Sequence, residues 1–416
     1  MEIPVAFSKT GSAAKATAAG LSGLIAAAAP GAGSPPHWSP LPPLPPAPGE
    51  TRQAGVAAPF VGVHGGVLLV AGGTNFPDAP PWRGGTKRWW DTVFVLEKPD
   101  GPWLTGPQFK LPHPLAHGVS FSTPHGVLCV GGNDAKQTYA DVFLLRWDAA
   151  SRSVGTVSLP PLPEPLALAG GGDLNGRIFV VGGQTAADSP ASTTHAYTLD
   201  FSGGPSETLQ WKRLPDLPGP ARSLPVSFAI AGRNDHAGFY VFGGRDQQPG
   251  ELPKIFSDGY RYDPAARTWK KLNDVPSAFN RMAAATLPTS DGAALVFGGD
   301  GGTVFMELAK LASQIEKAEG AQKESLLKSY RAMLDHHRGF SRLISRYDSR
   351  RDSWERVAKL PEWPPVVTTA TWWNGAVAIP GGEIRPGIRT AGTLYGVFSG
   401  EGWSTKGTSE SEFPAR

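Results

Sequence analysis

The sequence predicts an all-β chain folded as a six-bladed β-propeller, with a small helical hairpin inserted into it. Three observations predict this. An apolar run ending in Gly-Gly recurs six times. A second strand-like run follows most of these pairs, and then a Trp and a Leu-Pro pair. Gly and Pro are abundant, 52 and 41 of 416 residues, against a usual combined share of about 12%. Strands are therefore short and turns frequent.

The six runs are VLLVAGG ending at Gly73, VLCVGG at Gly132, IFVVGG at Gly183, FYVFGG at Gly244, ALVFGG at Gly299 and AVAIPGG at Gly382. Their final glycines are 59, 51, 61, 55 and 83 residues apart. The second strands read DTVFVLE, ADVFLLR, HAYTLD, GYRYD and RLISRYD. Trp103 with Leu111-Pro112, Trp211 with Leu214-Pro215 and Trp354 with Leu360-Pro361 close repeats, and SLPPLP at 158–163 does so without a Trp. A period near 50 with this order is the kelch pattern. Each repeat makes a twisted four-stranded sheet that cannot cover both faces alone. Radial packing covers them and leaves only short edges.

The ends and the long interval complete the architecture. Residues 1–36 start with Lys9 and Lys15 and carry an Ala-rich apolar stretch at 17–29. That is the pattern of an export leader, which would make the protein periplasmic or secreted, or else of a flexible tail on a cytoplasmic protein. The propeller spans 37–400, and 401–416 form a C-terminal tail. Residues near 38–46 read as an outer strand with no blade before it, and are expected to complete the last blade, with Trp403 the competing candidate. Within 304–338, Leu308, Leu311 and Ile315 share one helical face and Leu326, Tyr330 and Leu334 another, with Gly320 between them. This insert is a packed surface excursion or a lid over one mouth of the ring.

Composition excludes several function classes. The chain has 39 Lys and Arg against 36 Asp and Glu, a net charge of +3, and no basic block, so it has no nucleic-acid footprint. No apolar run reaches the 18 or so residues of a membrane span. The single Cys, Cys129, lies in a strand-like run, which excludes an intrachain disulfide and a Cys-based zinc site. No metal site is expected. Oligomeric state is not legible.

The innermost strand of each blade lines the channel, and its start follows the Leu-Pro loop. That position reads Arg52, His117, Leu166/Ala167, Arg222, Arg281 and Thr368. Three arginines and a histidine at one mouth form a basic funnel suited to a small anion, since the Arg fork matches a carboxylate. The same arginines can instead cap loop carbonyls. After the sixth Gly-Gly, GGEIRPGIRT holds Glu383 and Arg389 on one tight loop. Glu383 fills the slot taken elsewhere by Thr74, Asn133, Gln184, Arg245 and Asp300. The pair is a structural ion pair or a base with an anion holder. The loop at 72–91 is also unusual, with Asn75, Lys87 and Arg88.

The GE-x-x-PG-x-RT element, GG-x-NFP at 72–77 and LPHPLAHGVS at 111–120 together resemble the bacterial kelch-type N-acetylneuraminate (sialic acid) mutarotases. So does the insert followed by GFSRLISRYD at 339–348, which has Phe340-Ser341-Arg342 where the family has Phe-Asn-Arg. The resemblance covers about residues 38–400. The elements come in a different order from the better-known members, as in a cyclically permuted branch, and a closed ring tolerates such a cut. The resemblance implies that Glu383 and Arg389 are the family's essential Glu and Arg, and it adds Asn75 and Arg342 to Arg52, Arg222 and Arg281 as substrate-binding candidates. Mutarotation opens and recloses a hemiketal and needs a base and an acid, but no cofactor. Glu383 would serve as base, Arg389 would orient the carboxylate, and His117, with an ordinary pKa near neutrality, is a second acid/base candidate.

Other classes predict other features. A non-catalytic kelch module binding a protein or glycan needs no Glu/Arg loop. A copper oxidase needs a Cys–Tyr crosslink and His ligands, whereas Cys129 lies inside a strand. A sialidase needs repeated S-x-D-x-G-x-x-W boxes, which the sequence lacks.

Overall fold

A computed structural model describes residues 35–232 and 235–398. The leader expected at 1–36 falls outside these residues except for its last two, and the tail at 401–416, with Trp403, lies outside them entirely. Six four-stranded antiparallel sheets form the blades. Their inner strands are Phe60–His64, Val119–Thr123, Gly170–Leu174, Val226–Ile230, Ala285–Pro288 and Thr371–Trp373, in blades 1 to 6. Blade 6 is closed from the N-terminal side, because His37–Leu41 pairs with Thr393–Val397 as its outermost strand.

The repeated residues have a mechanical reason. Both glycines of every pair have positive φ. At Gly72 a Cβ would lie 2.2 Å from the Leu115 carbonyl oxygen of the next repeat, so no side chain fits. The following N–H, of Gly73, donates to that same carbonyl at 2.9 Å. Gly-Gly is thus an inter-blade fastener. The Trp is a second one: the indoles of Trp103, Trp211 and Trp269 donate to Pro42, Pro160 and Pro215 of the preceding blade's Leu-Pro loop. The core consists of wedges of apolar side chains between neighbouring blades. Cys129, fully buried, belongs to the wedge between blades 1 and 2 with Phe60 and Leu145.

The structure corrects the register at the channel entrance. The residues that enter the inner strands are Ala58, His117, Leu168, Leu224, Ala283 and Val367, all with φ between 52° and 65°. Each N–H donates to the carbonyl of the equivalent residue in the preceding blade, at 2.7–3.1 Å, and Ala58 donates to Val367. Six hydrogen bonds therefore close a ring around the channel. The left-handed conformation costs a non-Gly residue about 1–2 kcal/mol, and the ring offsets it by satisfying six buried donors. Of the residues expected at this position only His117 is there.

The insert forms α1 (Thr303–Lys317) and α2 (Gly320–Asp335), so Gly320 begins the second helix rather than lying between the two. It emerges from blade 5 but is tied to blade 1. Asp335 accepts from the Trp82 indole at 2.8 Å and pairs with Arg83 at 2.6 Å. A loop of blade 5 held by a loop of blade 1 reaches past blade 6, along the mouth. No helix among the described residues is long and apolar enough to cross a membrane.

Candidate functional site

The slot after each Gly-Gly builds the mouth. Thr74, Asn133, Gln184, Arg245, Asp300 and Glu383 each bridge to the residue just before a ring position. All six slots therefore lie at the same end of the channel, where the insert also emerges.

Glu383 and Arg389 lie there as cross-strand partners on a two-stranded hairpin, Glu383–Arg385 with Ile388–Arg389. The Pro386-Gly387 turn between the strands is held by the Gly387 N–H donating to Glu383 Oε1 at 2.9 Å. Arg389 Nη1 lies 2.6 Å from Glu383 Oε2, and the side chains are 8% and 18% exposed. The approach is close but not aligned as a hydrogen bond, and Nε and Nη1 of Arg389 have no acceptor among the described residues. Its guanidinium lies over the Phe76 ring. Burial pulls the Arg389 pKa down, and Glu383 opposes the shift.

Two more cations lie on aromatic faces. Arg245 is 4.6 Å from the centroid of Phe305 on α1, and Lys87 is 4.6 Å from that of Trp89. Neither makes a salt bridge among the described residues. Burial lowers the Lys87 pKa to about 8, helped by the Arg389 charge and opposed by Glu383. Asp300, whose oxygen holds the Gly302 N–H at 2.7 Å, is pushed up by burial.

His117 faces the same mouth but is not an acid. Its Nδ1 lies 2.7 Å from Asn133 Oδ1, which also accepts from the Trp89 indole. With that oxygen as acceptor, Nδ1 carries the proton and Nε2 a lone pair. Burial, with Lys87 and Arg389 nearby, lowers its pKa to about 3 against the Asn133 hydrogen bond. At neutral pH the ring is uncharged, which removes the acid half of the acid/base role expected for it and leaves Nε2 its lone pair.

Three of the expected substrate-binding residues, Arg222, Asn75 and Arg342, are committed elsewhere. Arg222 is wholly buried two residues before the ring, where earlier repeats have Leu115 and Leu166 in their wedges. Its fork bonds Asp258 at 2.8 and 2.9 Å and its other donors reach the Gly243 and Pro220 carbonyls. Asn75, 2% exposed, donates to the Gly55 carbonyl and accepts from the Trp90 indole. Arg52 is exposed, six residues before the ring position of its repeat, beside a small cleft with Glu50 and Gln53. Arg342 is exposed and caps the Leu360 carbonyl at 2.8 Å. Arg281 is half-buried, its main chain tied to Asp300 and Gly244, and its side chain makes no salt bridge among the described residues. Counting from the Leu-Pro loop missed Arg245 and Lys87. The slot after Gly-Gly, which marks Glu383, marks Arg245 as well.

The arrangement holds one carboxylate clasped by one guanidinium, flanked by two cations without a carboxylate in contact. Such a mouth attracts a small anion and offers it a base. Among the described residues no three His, Cys, Asp or Glu converge as a metal site.

Comparison with known proteins bears on the fold and the family. A solved structure described as "Structure of YjhT" superposes with a TM-score of 0.56 at 14% identity, over 85% of this chain and 96% of that one, a likeness of fold. The N-acetylneuraminate epimerase of Salmonella arizonae is 28% identical over 246 residues, and that of Haemophilus influenzae 28% over 242. These stretches are 58% and 57% of this chain, and the chain spans 59% of the length of each relative. The family model for N-acetylneuraminate epimerase matches residues 19–154 and 159–413. A match over nearly the whole chain shows that it belongs to the N-acetylneuraminate epimerase family.

Proposed function

We propose that the protein is a sialic acid mutarotase, an isomerase that speeds exchange between the anomers of N-acetylneuraminate. The observation that carries the proposal is the Glu383–Arg389 pair, facing each other at 2.6 Å in the ring of mouth residues. Glu383 takes the proton of the anomeric hydroxyl as the bond between the anomeric carbon and the ring oxygen breaks. The ring oxygen takes a proton from the Lys87 ammonium, giving the open-chain keto acid. Rotation about the bond to the former anomeric carbon presents its other face. Reclosure reverses both transfers and restores Glu383 and Lys87. A lysine with a pKa of about 8 is still mostly charged at pH 7 yet gives up its proton more readily than an ordinary lysine.

Arg389 holds the Glu383 carboxylate in the mouth, and the insert, tied to blade 1, restricts water there. The test follows anomer exchange of N-acetylneuraminate by NMR. Glu383→Gln keeps the shape and removes the base, so exchange should fall by about 10²- to 10⁴-fold with little change in stability. Parental exchange in this variant would return the pair to a loop-stiffening ion pair.

A further inference from the structure

Arg245 is a cation of the mouth held by an aromatic face rather than by a carboxylate. Its slot, in blade 4, is equivalent to that of Glu383 in blade 6. Its guanidinium lies on Phe305, supplied by the insert, and has neither a salt bridge nor a side-chain hydrogen bond among the described residues. Arg245 is half-buried, and a charge withdrawn from water is ordinarily paired. Arg222, in the same blade, shows the usual solution, with Asp258 in its fork. Arg245 instead has Glu383 and Asp300 within electrostatic reach but not in contact. Burial lowers its pKa and those two carboxylates only partly oppose the shift.

We infer that Arg245 is the anchor for the substrate's carboxylate, and that Arg389 positions the base. The inference rests on the reading of the protein as an isomerase of a keto sugar acid. In such a sugar the carboxylate and the reacting hydroxyl share the anomeric carbon. The anchor and the base must then be close neighbours that face the same carbon without pairing with each other. Arg245 and Glu383 occupy equivalent slots at the same mouth, two blades apart, and are not paired with each other. Arg389 fails the condition, since its Nη1 is already 2.6 Å from Glu383. The fork of Arg245 takes a carboxylate in two parallel hydrogen bonds, and Phe305 holds the plane of the fork in place. The insert therefore supplies part of the specificity, because the face that orients the anchor belongs to α1.

The test uses the methyl α-glycoside of N-acetylneuraminate and its carboxamide as probes. The glycoside has no free anomeric hydroxyl, so calorimetry reads binding independently of exchange. The parent should prefer the acid to the amide. Arg245→Gln should bind the acid about 10- to 100-fold more weakly and lose most of that preference, whereas Arg389→Gln should keep it. Arg245→Lys, which retains the charge without the fork, should fall between parent and Arg245→Gln, and it carries the test if the Gln variant does not fold. A parent without acid preference, an Arg245 variant that keeps the parental ratio, or an Arg389 variant that alone abolishes it would overturn the assignment. Failure of the parent to speed anomer exchange of free N-acetylneuraminate would instead refute the isomerase reading, and the glycoside ratios would still decide the anchor.

Discussion

Replacing Asp258 by Ala strands the guanidinium of Arg222 inside the propeller. The side chain of Arg222 is completely buried, and Asp258, 16% exposed, takes its two parallel bonds. Burial alone would raise the Asp258 pKa, but the bonds and charge of Arg222 outweigh it and hold the carboxyl below its usual range. Breaking a buried pair by removing one partner costs about 3–5 kcal/mol. Two lost charge-assisted hydrogen bonds at about 1.5–3 kcal/mol each give about 3–6 kcal/mol, an overlapping range. Water can reach the partly exposed Asp258 position, so the low end, about 3 kcal/mol, is expected for Asp258→Ala. Denaturant unfolding of the parent, both single variants and Arg222→Met/Asp258→Ala gives the coupling. The double variant leaves neither charge stranded and should be less destabilised than the sum of the singles by about 2 kcal/mol. A loss under about 1 kcal/mol in Asp258→Ala, or strict additivity, would refute the structural reading of Arg222. Arg222→Met that weakens sugar binding at unchanged stability would put the arginine back at the mouth.

Lys87 should impose an upper pH limit on exchange: its ammonium is the acid, so the rate should fall as pH rises through about 8, and Lys87→Met should lower the rate and erase that limb in an NMR pH series. His117 should shape stability instead. Its folded pKa of about 3 lies below the ordinary 6.5, so its contribution is complete above pH 6.5 and is lost as pH falls from there towards 3, by up to about 1.4 kcal/mol per pH unit. His117→Gln should flatten the denaturation midpoint over that window, and an unchanged slope would show that the imidazole is protonated at no such cost.

The chain's own pattern determined the blades, because each repeated residue acts locally. Gly-Gly recurs where positive φ and a neighbouring carbonyl leave no room for a Cβ, and at Trp103, Trp211 and Trp269 the indole reaches a Leu-Pro carbonyl. The orphan outer strand near 38–46 could be read for the same reason, since a ring leaves one place for it. Glu383 was legible because its slot is counted from Gly-Gly, which the fold fixes. The arginines counted from the Leu-Pro loop were not. The distance from that loop to the ring varies between repeats, and a slip of two residues moves a side chain from the mouth into a wedge, as with Arg222 in place of a core Leu. The charges at the mouth belong to tertiary structure alone. Arg245 depends on Phe305, 60 positions away, and His117 stays uncharged because the closed ring buries it, with the charges of Lys87 and Arg389, from blades 1 and 6, adding to the shift. Desolvation and Coulomb interactions depend on distance in space, and only the closed ring brings residues so far apart in the chain to the same few ångströms.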